Sequence, residues 1–205
     1  MTSRYRLSFT TGGLLLSEMT AIAPILIRSG CDREATLAQC LEERVTQQRT
    51  ESSRRRIARE ATDRLLELSG LQLTIMADGN SSERKAVAWI AACCLYSFVG
   101  EFAREVLRDH YQLMMHRISK DDFDRFSRAK ADWHPELAEL MPSTHAKLRQ
   151  NLLRMAREAD ILDASNDVQP ISFPKSVLET LLPSRVQDLE FFPLTNAEIE
   201  ESSRE

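Results

Sequence analysis

The chain has 205 residues, 42% of them hydrophobic, with only six glycines and seven prolines. That supports a proper core and favours helices over a turn-rich β fold. The formal net charge of -4 would argue against nucleic acid if it were spread evenly, but residues 158–205 hold three basic and eleven acidic side chains and residues 1–157 hold 24 basic and 20 acidic.

The opening Tyr5–Phe9 reads as a short extended lead. Leu14 to Arg28 is predicted as a first helix, kinked near Pro24 and stopped by Ser29-Gly30. Asp32 caps a second, to about Glu43. The third, RTESSRRRIAREATDRLLEL over Arg49–Leu68, carries the most information. Ile57, Ala61, Leu65 and Leu68 share one face, and Ser52 or Ser53 can cap the start. Arg55, Arg56 and Arg59 point away from that stripe. Cations at a helix start are unfavourable by roughly 0.3–1 kcal/mol each, so the cluster suits an anion such as phosphate. The plainer reading is a solvated face laced by Arg56–Glu60, Arg59–Asp63 and Glu60–Arg64 pairs.

Leu71–Ala77 is a short apolar helix closed by Asp78-Gly79-Asn80. Ser81 or Ser82 then caps a central helix from Glu83 to about Phe98. Its run AVAWIAACCLYSFVG is apolar nearly all round, which places it inside the fold. At fifteen residues it is short of the roughly 20 that a bilayer needs. Leu14–Ile27 is also too short and contains Glu18 and Pro24, so no membrane span is expected, and the helix after Arg4 and Arg6 has no small-residue cleavage site, so no signal peptide is expected either. Gly100 allows a break before a helix from Glu101 to Met115. Ser119 starts another, with Asp121, Asp122 and Asp124 matched to the helix dipole rather than to a metal.

Trp133-His134-Pro135 makes a corner, Glu136–Met141 a short helix ended by Pro142, and Ser143 caps a long helix to about Ala159. Leu148, Leu152, Met155, Ala156 and Ala159 form its buried stripe. Lys147, Gln150, Asn151, Arg154 and Arg157 collect opposite, side-chain types that read base edges and grip phosphates. Ile161–Leu162 can pair with Val168–Ile171 as a small hairpin around Ser165-Asn166. Helix, tight turn, helix and wing is the layout of a winged helix-turn-helix. Pro174–Leu182 is a last short helix, and the acidic end after Asn196 is expected to fray. The division expected is residues 1–117 and 118–205.

Signals for catalysis are weak. His110, His116, His134 and His145 stand in no metal-ligand spacing, and no Walker, GxGxxG or GxSxG run occurs. Cys31, Cys40, Cys93 and Cys94 form no CxxC and are read as core packing in a reducing compartment. No cofactor and no metal are expected.

Three separated blocks carry a resemblance: YRLSFTTGGLLLSEM, QQRTESSRRRIAREATDRLLELS and DDFDRFSRAKADWHPELAELMPSTHAKLRQNLLRMAREADIL. Together they resemble the BrxA family, small helical proteins of the BREX bacteriophage-exclusion systems. The resemblance spans roughly residues 5–182. It implies an all-α, multi-helix fold likened to NusB-type antitermination factors, and no catalytic residues. It also implies double-stranded DNA binding beside larger partners, including a methyltransferase and ATPases. On the matching blocks, helix-face reasoning selects Arg49, Arg55, Arg56, Arg59, Lys147, Arg149, Gln150 and Arg154 as DNA contacts. The expectation is a cytoplasmic, non-enzymatic DNA-binding component. An adaptor that meets an acidic partner surface and an RNA-binding protein are the alternatives. Aromatics at 6% disfavour a single-strand stacking platform.

Overall fold

The computed structural model describes residues 4–202 apart from Thr11, and over them the protein is all-helical. In chain order the helices are α1 (Leu16–Arg28), α2 (Arg33–Glu42), α3 (Glu51–Leu65), α4 (Gly70–Asp78), α5 (Ser81–Leu95) and α6 (Ser97–Phe102). There follow α7 (Asp109–Gln112), α8 (Lys120–Ala131), α9 (Pro135–Ala138), α10 (Pro142–Glu158), α11 (Lys175–Leu181) and α12 (Asn196–Ser202). The chain forms two units. One comprises residues 14–95 and 173–180; the other comprises the residues up to 13, 96–172 and those from 181 on.

The first unit is built on α1, which packs against α2, α3, α4 and α5. Met19, Ile22, Ala23, Ile25 and Leu26 are its buried side, and Pro24 lies inside the helix without ending it. Gly30 and Cys31, both at positive φ, turn the chain after Ser29. The Asp32 carboxylate accepts from Ala35 N–H at 2.8 Å, the expected cap of α2. α3 is capped by Thr50, ahead of the expected Ser52 or Ser53, and the Thr50 hydroxyl accepts from Ser53 N–H. Ser69 and Gln72 form a capping box on α4. Asn80, rather than Ser81 or Ser82, caps α5 by accepting from Ser82 and Glu83 N–H. From Ala86 to Cys93 every side chain of α5 is buried, as its uniform apolarity requires. The return segment adds buried Val177, a Ser176 hydroxyl donating to Glu83, and a Gln72–Thr180 hydrogen bond at 3.2 Å.

In the second unit the break falls at Tyr96, not at Gly100. Tyr96 is extended (φ -114, ψ 92) and fully buried, while Gly100 lies buried within α6. Breaking there places Phe98 and Phe102 in one aromatic core with Phe123 and Phe126, at centroid distances of 5.1–5.9 Å. α6 passes into α7 through a π-helical stretch, Ala103–Arg108. The lead is not wholly extended: Ser8–Thr10 is a 3-10 turn, and Phe9 is buried against Tyr96 at 5.3 Å. Ser119 caps α8 in a box with Asp122, as expected. Pro142 does not merely end the preceding helix; it is the first residue of α10, with Met141 rather than Ser143 at the cap position.

The expected hairpin is reduced to isolated bridges. Leu162 pairs with Val168 across the turn, Arg117 pairs with Asp167, and no strand forms among the described residues. The end expected to fray after Asn196 is helical as far as Ser202, and residues 203–205 lie outside the described residues. Leu189, Phe191, Phe192 and Leu194 are buried, the Arg108 guanidinium donates to Leu194 O at 2.9 Å, and Thr195 with Glu198 boxes the start of α12. Among the cysteines, Cys40 and Cys93 are buried, but Cys31 is exposed and packs no core. Burial pushes the Cys40 thiol up to about 11.

Candidate nucleic-acid interface

Residues 44–59 contain six arginines and one glutamate. The buried stripe of Ile57, Ala61, Leu65 and Leu68 turns the opposite face of α3 to solvent. Arg55, Arg56 and Arg59 are exposed there, and Arg49 is exposed just before the helix. Arg55 reaches Glu51 at 3.3 Å, a pair more than half exposed on both sides and therefore weak. Arg54 is partly covered and donates to Gln48 O at 3.1 Å.

Two of the three ion pairs expected on this helix do not form. Asp63 is held by Arg33 at 2.8 Å instead of by Arg59. Glu60 is buried and faces Arg64 at 3.4 Å instead of Arg56. Among the described residues Arg56 and Arg59 therefore have no ion pair, so their charge is left for an external anion. The positive end of the α3 dipole adds to the same potential. Arg44, exposed at φ 52 in the loop between α2 and α3, adds a further exposed cation to this stretch of the chain. Helix-face reasoning passes over it because it lies outside the stretch Arg49–Leu68 read as helical, although the arginine density of residues 44–59 is there to read.

The α10 face is different in kind. Lys147, Gln150 and Arg154 are exposed, as expected. Arg154 is paired with Glu158 at 2.7 Å, and Lys147 lies against Gln150 at 3.4 Å. Arg149 is half-buried and donates to Asp124 at 3.0 Å, so its charge is largely spent within the fold. Arg157 donates to Asn166. Asn151 is not on the open face at all. It is 2% exposed, and its amide donates to Phe9 O at 3.1 Å. The reason is angular: Leu148, Asn151, Leu152 and Met155 follow the i, i+3, i+4, i+7 rule of one buried stripe.

Three of the four histidines serve packing. His134 stacks on Tyr5 at 3.7 Å, His145 contacts the Ser127 hydroxyl at 3.0 Å, and His110 lies 3.7 Å from Asp122. Burial, reinforced by a hydrogen bond to Glu101, pushes the Tyr5 hydroxyl far above its ordinary range. Among the described residues no group of three or more His, Cys, Asp or Glu could hold a metal ion. No single helix there is long and apolar enough to cross a membrane.

The family model for BrxA matches residues 3–184. The chain belongs to the BrxA family. The BREX protein BrxA of Escherichia coli O9:H4 (strain HS) is 24% identical over 152 residues, which cover 74% of this chain and 71% of that protein. The fold is also that of an uncharacterized protein from Magnetospirillum magneticum whose crystal structure is known. It superposes with a TM-score of 0.79 at 20% identity, covering 92% of this chain and 97% of that one. Both α3 and α10 lie inside the segment that defines BrxA.

Proposed function

We propose that this BrxA-family chain is a non-catalytic, cytoplasmic component of a BREX phage-defence system that binds double-stranded DNA. The observation that carries the reading is the exposed arginine patch of α3, in which Arg56 and Arg59 have no ionic partner among the described residues while neighbouring acids are committed elsewhere. Phosphate is the anion that such a patch suits, since guanidinium binds it bidentately. The contact is to the backbone, so affinity is electrostatic and sequence preference weak. With about five phosphates neutralised, log affinity falls against log salt with a slope of roughly -4 to -5. The α10 face, with Arg149 and Arg154 already paired, contributes less per residue.

A salt-titrated assay with duplex DNA, single-stranded DNA and RNA of equal length tests this. Wild type should prefer duplex. Arg55→Ala/Arg56→Ala/Arg59→Ala should weaken it and flatten the slope by about 2–3. Duplex binding that survives this variant unchanged would shift the contact to Lys147, Gln150 and Arg154. Absence of duplex binding near physiological salt would make the chain an adaptor.

A further inference from the structure

α7 closes on a knob of three consecutive apolar side chains. Leu113, Met114 and Met115 are 68, 82 and 49% exposed. Met115 N–H donates to His110 O at 2.8 Å and Met114 N–H to Tyr111 O at 3.1 Å, a helix closure that requires one left-handed residue. Met114 fills that position at φ 54, where glycine or asparagine is usual. Its side chain returns almost no packing for this conformation. Strained backbone that presents an exposed apolar residue points to a use outside the molecule.

The knob stands on a fixed base. Val168 N–H donates to His116 O at 2.7 Å, Ile118 N–H donates to Asn166 O at 2.9 Å, and the Arg117 guanidinium forks onto Asp167 at 3.0 and 3.3 Å. Its rim is acidic. Asp109 is exposed on α7 itself. α12 is held beside α7 through Tyr111 and Glu198, at 3.5 Å, and exposes Glu200 and Glu201. Of the exposed cations that follow in the chain, Arg117 is neutralised by Asp167, which leaves Lys120 against Asp109, Glu200 and Glu201.

We infer that the Leu113–Met115 knob docks into an apolar, basic-rimmed groove on another protein component of the same BREX system. Charge complementarity selects that occupant: the acidic rim repels a phosphate backbone, and a second copy docked through the same rim about a two-fold axis would set like charges together. Flexible thioethers suit the filling of such a groove. The inference is independent of the arginine patch and survives if that patch binds no DNA.

The test titrates the full-length chain, by calorimetry, with each of the other purified components encoded with its system. One component should bind. Leu113→Ser/Met114→Ser/Met115→Ser should weaken it about thirty-fold, the scale of losing an interface anchor, with duplex DNA affinity unchanged. Met114→Gly suits the left-handed turn, so it keeps the fold and removes only the thioether; it should cost about tenfold. Glu200→Arg/Glu201→Arg should also weaken binding. No binding component, or equal binding by the serine variant, would overturn the inference. So would self-association of the wild type that the serine variant abolishes, or parallel loss of duplex DNA affinity.

Discussion

Arg64 and Arg56 sit two turns apart on α3 and play opposite parts. Arg64 is fully buried, donates to Leu14 O at 3.0 Å and faces buried Glu60. Arg56 is exposed. Arg64→Ala should therefore destabilise by about 3–5 kcal/mol, because it leaves a buried carboxylate uncompensated. Arg56→Ala should stay within about 0.5 kcal/mol. Urea unfolding of the two variants checks both values; similar midpoints would contradict the assignment. The distinction was in the spacing but hidden by residue type. Ile57, Ala61, Arg64 and Leu68 step by four, three and four, so Arg64 lies on the stripe. A search for apolar letters passes over it, and an i,i+4 Glu–Arg pair does not reveal whether it faces water.

Helix ends were legible where the capping residue had no second capping residue next to it, as at Asp32 and Ser119. They were misplaced where several capping residues stood in a row. In Thr50-Glu51-Ser52-Ser53 the first hydroxyl takes the cap, and in Asn80-Ser81-Ser82 the asparagine does. The break at Tyr96 carried no Gly or Pro signal, because it is set by the packing of Phe98 and Phe102. One cap has a pH signature. Burial alone would raise the Asp122 carboxyl, but hydrogen bonds from Ser119, with His110 and Arg125 nearby, hold it below its ordinary 3.8. A carboxyl depressed in the folded state stabilises fully above its unfolded pKa and ceases to as pH falls through the folded one. Stability of the wild type should thus drop below about pH 4. Asp122→Asn should show a shallower acid limb in thermal unfolding from pH 7 to 2. Parallel limbs would show that Asp122 is not depressed.

For the molecule as a whole, charge asymmetry outweighs net charge. The all-α class and the arginine patch were readable from composition and spacing, but which arginines keep a free charge was not. That depends on Arg33 arriving from another helix to take Asp63. The acidic C-terminus should oppose a DNA backbone over a Debye length. Trimming the residues after Asn196 should therefore raise duplex affinity a few-fold at low salt. Filter binding reads this directly, and unchanged affinity would sink it. The same topology dictates an order of events during synthesis. Residues 14–95 are an insertion within the other unit, so Phe9 leaves the ribosome long before Tyr96, Phe98 or Asn151, the groups it packs against or bonds. At roughly 5–20 residues per second, the first turn of the chain stays unsheltered for several seconds while the inserted helices assemble. An N-terminal fusion or truncation should for this reason damage the half of the protein that is made last.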